Sequence, residues 1–141
     1  MKRSASAQWK GSLENGQGTL SSESGILSST PYSFKTRFKD EKGTNPEELV
    51  GAAHAGCFSM ALSMILGQDD FTPERIDTKA TVQLDEVEGG FAITKVHLHC
   101  RASVPGASAD QFAEAANAAK ANCPVSKLFT AEISMDAALD S

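Results

Sequence analysis

Residues 45–66 read NPEELVGAAHAGCFSMALSMIL, and this stretch decides the fold. Asn45 is a good N-cap residue, Pro46 suits the first helical turn, and Glu48, three places past the cap, can reach back to the cap's own N–H. From Leu49 to Leu66 no acidic or cationic side chain interrupts the run, His54 being charged only when protonated. Gly67 with Gln68-Asp69-Asp70 supplies a stop. The pattern predicts one helix over 46–66, about 30 Å long.

A helix that is apolar on nearly every side is expected to be buried on nearly every side. Gly51, Ala52, Ala53, Ala55, Gly56, Ser59, Ala61 and Ser63 keep this one thin, so that another backbone can come close. A sheet and a second helix are the expected neighbours. About 18 apolar residues is also the threshold for a membrane span. Here acidic residues flank both ends, no Lys/Arg asymmetry sets an orientation, and Ser and His are scattered within, so the helix reads as a core element and no membrane partner is expected.

Cys57 lies in the middle of this helix, and the dipole at the N-terminus fades within a turn. A reactive Cys57 therefore needs a cation from elsewhere in the fold. Candidates are His54, one turn back on the same face, and Arg37, from the segment before the helix. The plainer alternative is a buried cysteine acting as a small hydrophobe.

The chain has 141 residues, enough for one domain with a sizeable core, and a formal net charge of −5. That charge argues against nucleic acid or a polybasic membrane surface as partner. Met1-Lys2-Arg3 leads into SASAQW and not into an apolar segment, which suits a cytoplasmic protein. Three cysteines is an odd number, without CxxC or zinc-type Cys/His spacing, and no metal site is expected.

Along the chain, Asn15-Gly16 between Trp9/Leu13 and Thr19/Leu20 signals a hairpin of two short strands. Gly25-Ile26-Leu27 and Tyr32 to Phe38 read as strand-like, with Phe34, Thr36 and Phe38 alternating against Lys35, Arg37 and Lys39. On that reading Arg37 faces away from the apolar side. Ile76 to Val87 alternates as a half-buried strand, Glu88-Gly89-Gly90 turns the chain, and Phe91 to Val104 returns. Val96, Leu98, Cys100, Ala102 and Val104 share its core face, while His97 and His99 share the solvated one. Ser108 caps an amphipathic helix ending near Asn122. Cys123-Pro124 restarts a helix with Cys123 at its cap, where free N–H groups favour a thiolate. Residues 131–137 form a closing strand.

Two motifs, NPEELVGAAHAGCFSMALS and CPVSKLF, together with the N-terminal PYSFKTRF segment, resemble the signature segments of the OsmC/Ohr family of thiol-dependent hydroperoxide reductases. The order of elements agrees over nearly the whole chain. The resemblance implies an α+β fold with curved antiparallel sheets around the long central helix, and two chains interlocked as a homodimer. By the same resemblance Cys57 corresponds to the peroxidatic cysteine and Cys123 to the resolving one. Arg37 matches the arginine that polarises the thiolate, and Glu47 the carboxylate that orients that arginine. Cys100 matches neither motif and stays in the core. The implied activity is a cysteine peroxidase acting in oxidative and osmotic stress defence. It would reduce organic hydroperoxides, and hydrogen peroxide more weakly, through a Cys57 sulfenic acid and a Cys57–Cys123 disulfide, recycled by a lipoyl-type or thioredoxin-like dithiol. Two other readings stay open, a Cys-His hydrolase using Cys57 and His54, and a non-catalytic stress-induced binding or structural protein.

Glu47 and Cys57 stand ten residues apart, about 15 Å along a continuous helix. In a two-fold dimer with antiparallel central helices, the first turn of one helix can approach the middle of the other. The expected site then takes Cys57 and Cys123 from one subunit and Glu47, with Arg37, from its partner.

Overall fold

The computed structural model describes residues 1–140, and the chain divides into two compact units, residues 1–49 and the remainder from Val50. In the first unit β1 (Ala5–Lys10), β2 (Gln17–Ser22) and β3 (Thr30–Tyr32) pair antiparallel in that order. Asn15-Gly16 marks the turn that its sequence implies, but the connection takes residues 11–16 and is closed by Gly16 N–H donating to Ser12 O at 2.7 Å. Gly18 pairs with Trp9 on one side and Tyr32 on the other. The two rings fill the space over it, their centroids 5.5 Å apart, and a Cβ on Gly18 would run into both.

Two segments of this unit differ from the sequence reading. Gly25-Ile26-Leu27 is a run of turns and bends, held by Ser22 N–H to Leu27 O (2.9 Å) and Leu27 N–H to Ser22 Oγ (3.0 Å). Phe34–Phe38, predicted as strand, is the short helix α1. Ser33 and Thr36 close a capping box: Ser33 Oγ accepts from Thr36 N–H at 3.3 Å, and Thr36 Oγ1 accepts from Ser33 N–H at 2.8 Å. A single helical turn puts Phe34 and Phe38 on the same side, rings 5.0 Å apart, the same pair that a strand's two-residue period would align.

The long helix α2 (Pro46–Gln68) begins as expected, with Asn45 Oδ1 accepting from Glu48 N–H at 2.8 Å. Glu48 does not return the favour; its carboxylate accepts from Thr44 Oγ1 at 3.2 Å. The helix runs past Gly67 to Gln68 and stops on Asp70, the last residue of the expected stop, whose φ is +64°. Phe71 N–H reaches Leu66 O (3.0 Å) and Asp70 N–H reaches Gly67 O (3.1 Å), a Schellman ending with Asp in the left-handed position.

In the second unit β4 (Arg75–Val87) and β5 (Gly90–Ser103) form a long antiparallel hairpin, and β6 (Glu132–Leu139) lies parallel to β5. A parallel neighbour needs a crossover, which α3 (Ala109–Asn122) and α4 (Pro124–Leu128) supply. Ser108 caps α3 with Gln111 completing its box, and Cys123 is at once the C-cap of α3 and the N-cap of α4. The core joins Phe58, Leu62 and Leu66 of α2 to Leu98, Cys100 and Ala102 of β5 and to Phe112, Ala116 and Ala119 of α3. At Gly51 the helix comes close to β4, where a Cβ would lie 3.3 Å from Ala80 O.

Within one chain α2 is not buried all round, contrary to the sequence expectation. Gly51, His54, Phe58, Leu62 and Leu66 recur at helical spacing and are buried. Ala52, Ala53, Gly56, Met60 and Met64 are exposed, Met60 at 78% and Met64 at 62%.

Candidate functional site

The second unit places the Cys123 thiol next to that of Cys57, and the backbone N–H of Val125 also neighbours the Cys57 sulfur. Cys57 is half-buried, Cys123 buried, and both are free thiols. The arrangement follows from local folding: the pause between α3 and α4 turns Cys123 inward at a cap, while α2 presents Cys57 beside its buried row. Burial pushes the Cys57 thiol up, the Val125 N–H opposes this, and the neighbouring Cys123 thiol adds to the rise. Cys57 is therefore not activated by its surroundings within this unit, and a reactive thiolate calls for a cation.

His54 does not supply it, which corrects one candidate of the sequence reading. The imidazole is fully buried, its Nε2 lies 2.7 Å from Ser126 Oγ, and the Phe129 ring stands edge-on to it at 5.1 Å. Burial holds its pKa below the ordinary 6.5, so the ring is neutral. Ser126 in turn lies 3.0 Å from Cys123 Sγ, and its N–H donates to that sulfur at 3.4 Å. The sequence reading missed Ser126, although its position three residues after a capping Cys123 is the signal that could have found it.

Arg37 and Glu47 meet in the first unit. Arg37 Nε and a terminal guanidinium nitrogen both donate to Glu47 Oε1, at 3.0 and 2.8 Å, and Nε also lies 3.3 Å from Oε2. This fork geometry fixes the guanidinium plane. Because Phe34–Phe38 is helical, Arg37 is carried on α1, where its cation also lies over the Phe38 ring, 5.2 Å from the centroid. Trp9, Leu13, Tyr32, Phe34, Arg37 and Phe38 line a recess of about 250 Å³. It is aromatic on most sides with one cation in its wall.

The remaining sequence assignments fall where expected. Cys100 is fully buried in the core, and burial raises its thiol pKa. His97 and His99 face solvent, the first bonded to Ser134 Oγ at 2.6 Å and the second 3.4 Å from Asp136.

Solved structures share this fold. The organic hydroperoxide resistance protein OhrB of Bacillus subtilis superposes with a TM-score of 0.72 at 25% identity, over 97% of this chain and 98% of that one. An OsmC-like protein of unknown function from Vibrio cholerae gives a TM-score of 0.76 at 20% identity, over 97% and 99%. These likenesses define an α+β protein of the OsmC-like architecture. Residues 39–137 match the family model described as OsmC-like protein, and the sequence is 56% identical to the peroxiredoxin OsmC of Escherichia coli K12 over 96% of this chain and 94% of that relative. The chain belongs to the OsmC family.

Proposed function

We propose that this OsmC-family enzyme, a peroxidase by class, reduces organic hydroperoxides in preference to hydrogen peroxide, with Cys57 as nucleophile and Cys123 as resolving thiol. The observation that carries the reading is the juxtaposition of these two thiols, one on the core helix and one at a helix cap. The Cys57 thiolate attacks the distal peroxide oxygen; the O–O bond breaks, the alkoxide leaves and is protonated to the alcohol, and Cys57 becomes a sulfenic acid. Cys123 displaces hydroxide from that sulfur to form the disulfide, and a lipoyl-type or thioredoxin-like dithiol returns both cysteines to thiols. The forked Arg37–Glu47 pair is the cation that the Cys57 thiol calls for, and the aromatic recess beside Arg37 suits an apolar substituent on the peroxide. The names of two relatives, a peroxiredoxin and an organic hydroperoxide resistance protein, support a peroxide-detoxifying redox role.

Both units act as one functional domain over residues 1–141 of a homodimer. The exposed, apolar, small-residue stripe of α2 supports this, since a second α2 can lie close against Ala52, Ala53 and Gly56. Each site then draws Cys57 and Cys123 from one subunit and the Arg37–Glu47 pair from its partner. Three free thiols suit a reducing, cytoplasmic setting.

A steady-state assay comparing cumene hydroperoxide with hydrogen peroxide, with dihydrolipoamide and thioredoxin as rival reductants, tests the reading. Faster turnover of cumene hydroperoxide coupled to dithiol oxidation is expected. Ester hydrolysis without redox change, or no peroxide consumption, would overturn it.

A further inference from the structure

His54 and Ser126 form a buried polar chain that ends on Cys123 and that the proposed chemistry does not use. Ser126 Oγ lies between the two groups, 2.7 Å from His54 Nε2 and 3.0 Å from Cys123 Sγ. The other ring nitrogen, Nδ1, is buried and has no hydrogen-bond partner among the described residues. This decides the tautomer. A proton on Nδ1 would leave a buried N–H without an acceptor, a rarity in folded proteins, whereas a proton on Nε2 leaves only a bare lone pair there. With the proton on Nε2, His54 donates to Ser126 Oγ, and the Ser126 hydroxyl proton is left to point at Cys123 Sγ. Ser126 N–H already points at the same sulfur.

We propose that His54 is a positioning residue for the resolving thiol, holding the Ser126 hydroxyl as a donor to Cys123 so that a hydrogen bond meets the charge on its sulfur when it attacks oxidised Cys57. This rests on the reading of Cys123 as the resolving cysteine. In that step the S–S bond forms and the S–O bond of the Cys57 sulfenic acid breaks. The departing hydroxide takes up the proton that Cys123 has released, giving water. When the disulfide is reduced, the same donors receive the charge on Cys123 as it leaves. The titratable groups facing Cys123 are Cys57 directly and His54 through Ser126, both on α2, whereas Lys127 on α4 is exposed. A buried imidazole whose pKa burial holds below its ordinary value acts as a donor of fixed direction at neutral pH.

The test titrates the Cys123 thiolate by its ultraviolet absorbance in a Cys57→Ser/Cys100→Ser background, with Ser126→Ala, Ser126→Thr and His54→Phe added singly. Loss of one hydrogen bond to a charged sulfur should leave about tenfold less thiolate at a fixed pH in Ser126→Ala. His54→Phe should shift the midpoint in the same direction by less, and Ser126→Thr should restore it. In chains with all three cysteines, Ser126→Ala should slow disulfide formation after one equivalent of cumene hydroperoxide and let more Cys57 proceed to sulfinic acid. Nitrogen shifts of labelled His54 should report a neutral ring protonated at Nε2. Midpoints unchanged in both Ser126→Ala and His54→Phe, or a ring protonated at Nδ1, would overturn the proposal. Absence of any Cys57–Cys123 disulfide in oxidised wild type would instead overturn the assignment of the resolving thiol, which the titration does not depend on.

Discussion

From Val50 onward, Phe58, Leu62, Leu98 and Phe112 are sealed from solvent in one apolar cluster, whereas among residues 1–49 only Gly18 and Thr36 are buried. β1 is exposed along its whole length. The thiols thus sit on a scaffold held by core packing, and the arginine sits on one held by caps, forks and stacked rings. Packing tolerates no shift without cost, while directional bonds at a surface set an orientation without adding much stability. The first unit therefore presents a cation at a fixed angle, and the second presents two sulfurs at fixed depth.

The sharpest way to break this comparison is to remove one chemical group from each side. Cys57→Ser should abolish peroxide consumption, since no other nucleophile occupies its place, and Arg37→Ala should lower kcat/KM by about a hundredfold or more with the fold intact by circular dichroism. Mixing these two variants should restore activity through heterodimers with one complete site. No recovery despite verified subunit exchange would place arginine and thiol on the same chain.

Stability measurements probe the same contrast. Phe58→Ala should cost about 3–5 kcal/mol in denaturant unfolding, while Leu13→Ala, at a side chain 64% exposed, should stay within about 0.5 kcal/mol. Comparable losses would mean that the first unit is packed as tightly as the second. Ser33→Ala should cost about 1 kcal/mol through its lost cap and should lower peroxidase activity more than it lowers the rate of Cys57 alkylation, because it loosens Arg37 and not the thiol.

The smallest effect is a pH dependence. His54 has a folded pKa depressed below 6.5 by burial, so between that depressed value and 6.5 the unfolded chain binds more protons than the folded one. Stability should fall as pH drops through that window. His54→Gln should flatten the slope in urea unfolding measured from neutral to mildly acid pH; an unchanged slope would show that His54 is not the group responsible.

What could be read from the sequence follows the same division. The start of α2, the Ser108 cap, the Cys123 cap and the core face of β5 were legible because each is set by local capping chemistry or by a long period. Phe34–Phe38 was not, because five residues fit a strand's period and a single helical turn equally well; the deciding pair, Ser33 with Thr36, lacks the usual Glu or Gln of a capping box. The parallel placement of β6 depends on a crossover that no single segment encodes. The expectation of full burial for α2 fails within one chain, since composition gives the apolar surface but not what covers it. Arg37, Glu47, Cys57 and Cys123 were assigned through motif resemblance, and the structure brings them together as two pairs. The tie between His54 and Ser126 is not legible in the sequence, because the two residues are 72 positions apart.

Asn45 uses both ends of its amide: Oδ1 receives Glu48 N–H, and Nδ2 donates to Thr36 O at 3.2 Å. One side chain thereby pins α1 to the first turn of α2 and so indexes Arg37 to Glu47. The charged segment between the pins, residues 39–44, adds ties of its own, Ser33 Oγ donating to Glu41 at 3.4 Å and Thr44 Oγ1 to Glu48 at 3.2 Å, but the Asn45 amide sets the spacing without them. An inserted loop there would cost closure entropy of about 0.6 kcal/mol for each doubling of length, in addition to whichever of these bonds it displaces. Variation in length there would leave the arginine where it is.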